Sequence, residues 1–282
     1  MPLRVRSALF TPGTEAARLR KAVTGRADVC IFDLEDSVPP ERTGEARQVV
    51  SEALEELHGQ AVIWVRVHRA SSPLMVEDVA ALPLTKVNGI MVPKVGGAAE
   101  LAECRRAILA SKGPPDLPLI PIIESASGVI NAGEIARAPE IFCLALGRFD
   151  LSAELGIDPD SGSPALGAAR ASIVLSSSAA DLHRPLDSPW LKLKDLEGLR
   201  KGALRSRADG FGGMLLIHPS HVLVANFVFS PTKSEVAWAK DIIASARQAG
   251  AEGRGAYARE GAMVDEAIVR RARAIVDEAG RN

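Results

Sequence analysis

Charged side chains stand at the ends of apolar runs along this chain. Leu119–Ile123 is an unbroken apolar run, and Glu124 follows it directly. Ile141–Leu146 is another, followed by Gly147, Arg148, Phe149 and Asp150. Val29–Leu34 runs into the acids Asp33, Glu35 and Asp36, and Val62–Val67 carries Arg66 near its end with His68 after it. Gly89–Val92 leads into Pro93-Lys94, and Met214–Ile217 into His218. A bare carboxylate is costly to desolvate, so an acid at the tip of a buried segment is solvated, paired or on a metal.

Glu124 and Asp150 have no Cys or His pattern beside them, which suits a hard cation. Mg²⁺ takes one or two carboxylates and completes its shell with water and substrate oxygens. The bland alternative is that both acids cap helices or pair with arginines. Arg66 has the planar fork that grips a carboxylate bidentately, and it could equally pair with the Asp33, Glu35 and Asp36 cluster; the two roles are compatible. Lys94 could form a Schiff base, but nothing around it would depress its pKa, so a structural or electrostatic role is expected. His218 reads as a helix-start histidine. His58, His68, His183 and His221 show no metal spacing. No Ser-His-Asp order, GxSxG elbow, GxGxxG or Walker motif occurs, and Gly96-Gly97 is only a weak phosphate signal.

These residues need elements that bring them to one place. Unbroken Val/Ile/Leu runs read as strands buried on both faces, typical of a parallel sheet. Strand starts fall near residues 7, 29, 62, 89, 119, 141, 182 and 214, and helical spacing fills the gaps. Thr14 is the expected cap of the first helix, and Pro39-Pro40 precedes a helix to about Leu57. Eight strands alternating with helices favour an α/β fold of the TIM (β/α)8 barrel type over an open doubly wound sheet. Such barrels carry their active sites where the strands end. The expected division is a barrel over 1–230 and a C-terminal extension over 231–282. That extension reads as helices alone, roughly Lys233–Ala249 and Gly261–Ala279, packing on a neighbouring subunit.

The 282 residues are 47% hydrophobic with a formal net charge of −1. With eleven aromatics (7 Phe, 3 Trp, 1 Tyr), this balance argues against nucleic acid or an anionic membrane as partner. No apolar run reaches the ~20 residues of a membrane span, and the first residues, MPLRVRSALF, do not read as a signal peptide. Cys30, Cys104 and Cys143 are odd in number and without CxxC spacing, which fits a reducing, cytoplasmic setting with buried thiols.

The ordered set RSALFTPG, Lys21-Ala22, DLEDS, VRV, MVPK, IIESASG, LGRFDLS, IHPS, FVFSP and GAMVDEA resembles the citrate lyase β-subunit and malyl-CoA lyase family (the HpcH/HpaI aldolase/citrate lyase superfamily). The resemblance implies a TIM barrel with C-terminal helices, a homotrimer or hexamer, and Mg²⁺-dependent cleavage or formation of a C–C bond beside a coenzyme A thioester. It implies Glu124 and Asp150 as Mg²⁺ ligands, and Arg66 as the group that binds the oxo-acid: glyoxylate, pyruvate or oxaloacetate. Glu35 and Asp36, with Asp33, would shape the outer shell, and Phe10 and Lys21 would contact coenzyme A. Asp265 would be the acid/base reaching into a neighbour's site. His68, Gly212, Met214 and Glu15 depart from the family pattern, and MVDEA lacks the usual following proline.

A metal-dependent aldolase on free hydroxy-oxo-acids, a thioesterase acting on malyl-CoA and a non-catalytic oxo-acid-binding subunit are the alternative readings.

Overall fold

The computed structural model describes residues 3–251, 255–259 and 261–280. The chain divides into two compact units, Leu3–Phe227 and the segment from Val228 onward.

In the first unit, eight parallel strands close into a barrel. The order is β1 (Ser7–Pro12), α1 (Ala16–Val23), β2 (Val29–Asp33), α2 (Thr43–Leu57), β3 (Ile63–Arg66), α3 (Pro73–Ala81), β4 (Gly89–Val92), α4 (Ala98–Ala110) and β5 (Leu119–Ile123). Then come the single turns α5 (Ala126–Ile130) and α6 (Ala132–Ala136), β6 (Ala145–Leu146), α7 (Arg148–Leu155), α8 (Pro164–Ala179), β7 (Leu186–Asp187), α9 (Leu196–Asp209), β8 (Gly213–Leu216) and α10 (Val222–Val228). Pairing of Ser7–Leu9 with Met214–Leu216 shuts the barrel.

Successive strand residues point to opposite faces. Ala8, Val29, Ile31, Trp64, Met91, Ile120, Ile122, Cys143, Ala145, Leu186 and Leu215 form one buried cluster. Their alternate positions place them inside the barrel. The residues between them, such as Cys30 and Phe32, are buried as well. Both faces are therefore apolar, which is why the strands read as unbroken runs. The inward set continues past the apolar residues: Val29, Ile31, Asp33; Trp64, Arg66; Ala8, Phe10; Ile120, Ile122, Glu124. Strand parity alone thus delivers Phe10, Asp33, Arg66 and Glu124 to one end of the barrel.

Several local expectations are corrected. Thr14 does not cap α1; Glu15 is the cap residue and makes no side-chain bond there. The sixth strand is shorter than its apolar run, because Ile141 makes only an isolated bridge to Leu119 and regular pairing starts at Ala145. Strand seven is Leu186–Asp187, past His183-Arg184-Pro185, where the chain comes into register with Ala145 and Gly213. The α7 helix directly after β6 was not anticipated.

In the second unit, α11 (Lys233–Ala251) and α12 (Glu266–Ala279) pack together, but they are not joined by loop alone. An antiparallel pair, β9 (Tyr257–Arg259) and β10 (Ala262–Val264), lies between them. Val264 joins Ala239, Ile242, Val269 and Ala272 in the unit's core.

All three cysteines are free and buried. Burial pushes the Cys30 thiol up to about 11 and Cys104 to about 12, so neither is a ready nucleophile. Among the described residues no helix is long and apolar enough to cross a membrane.

Trp64 fills the barrel interior and is 1% exposed. Trp64→Ala is expected to cost about 3–5 kcal/mol of unfolding free energy, seen as a lower urea midpoint. An unchanged midpoint would contradict the interior packing described.

Candidate active site at the barrel mouth

Asp33 and Arg66 are register partners at the ends of β2 and β3. The guanidinium grips Asp33 bidentately, Nε to Oδ1 at 2.7 Å and Nη2 to Oδ2 at 2.7 Å. Its third nitrogen, Nη1, donates to Asp36 Oδ2 at 3.2 Å and lies 3.2 Å from Glu35 Oε2. The Phe10 ring lies under the guanidinium carbon at 4.5 Å, a cation–π platform. Burial opposes ionisation of Asp33, but the Arg66 charge and the hydrogen bonds from Arg66, Ser37 and Glu35 prevail and hold its carboxyl below the ordinary range. Burial likewise opposes the Arg66 cation, and Asp33, Glu35 and Asp36 more than restore it. The bidentate edge expected for a substrate carboxylate is thus occupied by Asp33.

Lys94 links the two sides of the mouth. After Pro93 its backbone turns left-handed, φ 56°. An L residue rarely adopts this conformation without compensating contacts. Here the contacts are plain: Lys94 N–H donates to Glu124 Oε1 at 2.7 Å, while Nζ donates to Glu35 Oε1 at 2.6 Å and to Asp36 Oδ1 at 3.2 Å. Burial works to lower the Lys94 pKa, but Glu35 and Asp36 drive it upward overall. A firmly protonated amine is no Schiff-base nucleophile. Glu35 itself is pushed up, by burial first and by the Asp36 charge. Its Oε2, in ion-pair range of Arg66, is buried without a hydrogen-bond donor.

Glu124 is 7% exposed. Burial, then the facing charge of Asp150, push its carboxyl up to about 8. Asp150 is exposed, on the first turn of α7. That helix start is tied down by Ser188, whose Oγ accepts Arg148 N–H at 2.9 Å and donates to Leu146 O at 2.8 Å. Gly147 carries no side chain for a spatial reason: a Cβ there would fall on the Glu124 carboxylate. Sequence reasoning passed over Gly147 and Ser188. The available signal was parity, because Gly147 continues the inward series Cys143, Ala145.

The arrangement fits a hard divalent cation. Two carboxylates of unequal burial repel one another, and an added cation relieves both the desolvation and the repulsion. Among the described residues no group of three or more His, Cys, Asp or Glu forms a metal cluster. Any ion held by Glu124 and Asp150 is therefore completed by water or substrate oxygens, as Mg²⁺ prefers. The donor-free Glu35 Oε2 is a natural acceptor for such water.

Phe10 and Lys21 line a separate groove of about 540 Å³ on the same unit, with Arg18, Arg26, His218 and Leu223. His218 also accepts from Ser220 N–H at 3.2 Å through Nδ1, capping a short turn as expected. Asp265 belongs to the second unit, where its Oδ1 accepts Ile268 N–H at 3.1 Å and caps α12.

Glu124 has a folded pKa of about 8 against an ordinary 4.5. A raised carboxyl contributes its stability below the ordinary value and loses it as pH climbs to the folded one. A tenfold change in proton affinity is worth about 1.4 kcal/mol, so metal-free protein is expected to lose a few kcal/mol of stability between those two values. Glu124→Gln should flatten that fall in urea titrations run at pH 5 and 8. A fall of the same size in the variant would refute the assignment.

A model of the HpcH/HpaI aldolase/citrate lyase family matches residues 6–219. An L-malyl-CoA/beta-methylmalyl-CoA lyase of Rhodobacter capsulatus is 34% identical, over 97% of this chain and 94% of that protein. A (3S)-malyl-CoA thioesterase of Cereibacter sphaeroides is also 34% identical, with the same 97% and 94% coverage. The crystal structure of CitE from Mycobacterium tuberculosis, in complex with magnesium, acetoacetate and coenzyme A, superposes with a TM-score of 0.82 at 29% identity, covering 99% of this chain and 100% of that one. The chain therefore belongs to the HpcH/HpaI aldolase/citrate lyase family.

Proposed function

We propose that this protein is a Mg²⁺-dependent carbon–carbon lyase that cleaves, or in reverse forms, a 3-hydroxyacyl-CoA such as malyl-CoA or citramalyl-CoA. The observation that carries the proposal is the buried Glu124 carboxylate, set against Asp150 at the barrel mouth and bonded by the Lys94 N–H. Glu124 and Asp150 would hold Mg²⁺, and the bound ion would supply Lewis-acid stabilisation of a developing negative oxygen.

The chain's own groups cover the remaining needs. The hydroxyl proton of the substrate leaves to the acid cluster, where Glu35 has a raised proton affinity and a donor-free oxygen. The C–O bond becomes a carbonyl, the C–C bond breaks, and its electron pair goes to the carbon next to the thioester. Arg66, held by Asp33, steadies the negative oxygen of the departing oxo-acid through its remaining N–H bonds. Asp265 of a neighbouring copy returns a proton to the enolate carbon. The products are an oxo-acid (glyoxylate, pyruvate or oxaloacetate) and an acyl-CoA. The groove with Lys21, Arg18 and Arg26 offers cations for the phosphates of coenzyme A, and Phe10 an aromatic face. A homotrimer or hexamer, with the 231–282 extension against a neighbour, would bring Asp265 to the site.

Hydrolysis of the malyl-CoA thioester is the second reading. It is supported by equal identity to a relative named as a thioesterase.

Purified protein with Mg²⁺ and malyl- or citramalyl-CoA should release glyoxylate or pyruvate. Glu124→Ala and Asp150→Ala should each lower kcat/KM by about 10²-fold or more. Normal turnover in both variants would sink the site assignment. Free coenzyme A appearing together with intact malate, and no oxo-acid, would select the thioesterase reading.

A further inference from the structure

A second pocket of about 450 Å³ lies in the first unit, between α8 and α9 over the end of β7. It is distinct from the groove of Phe10 and Lys21, since the two share no lining residue. Five cationic side chains line it against two carboxylates, Asp160 and Asp187.

The cations differ in how fully they are committed. Arg170 is spent within the fold: it donates to Asp187 Oδ2 at 2.7 Å and to Asp209 Oδ2 at 3.0 Å. The ion pairs of the other four are longer, and Arg148 adds a 3.4 Å hydrogen bond to Pro159 O. Arg148 reaches Asp160 at 3.3 Å and Lys192 the same residue at 3.8 Å. Lys201 lies 3.9 Å from Glu197 and Arg205 4.0 Å from Asp209. The pairs of Lys192, Lys201 and Arg205 are exposed, and exposed pairs this long neutralise little charge. Two buried donors are unused as well: Trp190 Nε1 and Arg148 Nε have no hydrogen-bond partner. An orphaned donor in a folded interior is a cost that a bound acceptor would remove. Trp190 lies against α9 at Gly198, where a Cβ would crowd its ring.

We propose that this pocket binds the phosphate groups of a small phosphorylated molecule. Arg148 supplies positive charge from the start of α7, Lys192 from the loop before α9, and Lys201 and Arg205 from α9 itself. Point charges converging from several directions suit a tetrahedral oxyanion better than a planar carboxylate, for which the Arg170 fork would be the natural partner. The inference does not rest on the lyase reading, because none of these residues holds the proposed metal or substrate.

Inorganic pyrophosphate is the probe. Calorimetric titration of the intact, metal-free protein should show saturable binding that weakens with salt. The Lys201→Ala/Arg205→Ala double variant, changed only at exposed side chains, should bind at least about tenfold more weakly. Trp190→Phe keeps an aromatic side chain, loses the N–H, and should weaken binding about 2–10-fold. In a Lys21→Ala background, which removes a cation from the other groove, the loss caused by Lys201→Ala/Arg205→Ala should persist. Absence of saturable binding, wild-type affinity in the double variant, or disappearance of that loss in the Lys21→Ala background would overturn the proposal. The KM of the thioester in the double variant identifies the source of the phosphate. A raised KM assigns the pocket to the substrate's own phosphates, and an unchanged KM with weakened pyrophosphate binding assigns it to a free ligand.

Discussion

The closed barrel imposes one constraint on everything at its mouth: alternate residues of each strand must share the interior. Once Ile31, Trp64 and Ile122 face inward, Asp33, Arg66 and Glu124 follow two residues later with no further choice. Charged groups are thereby brought into a confined, partly dry space. Each then has to be matched, because an unpaired buried charge costs several kcal/mol. Arg66 and Asp33 match each other across the β2–β3 register. Lys94, whose backbone turns into the left-handed region, matches Glu35 and Asp36.

Glu124 is the member left without a cation of its own. It receives one backbone N–H, from Lys94, and faces another acid. The Arg66 charge and its hydrogen bonds hold Asp33 below the ordinary carboxylate range, while Glu124 is pushed toward neutrality by burial and by Asp150. Two environments at one barrel mouth thus hold Asp33 and Glu124 in opposite protonation tendencies. Such separation is the usual physical basis for dividing roles among acids at a catalytic site.

Much of this was legible in residue order. The unbroken apolar runs marked the barrel strands, and the acids after Leu34, Ile123 and Phe149 stood out as strand-end groups. The losses have physical causes. Strand seven was misplaced because its two residues, Leu186 and Asp187, are too few to show periodicity, and their register is set by Ala145 and Gly213 on other strands. The run 141–146 overstated strand six because burial, not ladder pairing, made it apolar. The hairpin between α11 and α12 escaped because its three-residue strands carry no alternation long enough to read.

The amino-acid order by itself determined the eight-strand pattern, the residues that end each strand and the family resemblance, since these depend on local apolar runs and ordered motifs. The tertiary structure alone decided which charges meet. Bidentate closure of Arg66 on Asp33, the turn at Lys94, the space Gly147 leaves for Glu124 and the cationic pocket between α8 and α9 all join residues far apart in the chain. Proton affinity depends on burial and on the nearest charge, and neither exists until the barrel closes. Glu124 is an ordinary glutamate in the sequence, and only the folded mouth makes it a buried acid facing Asp150.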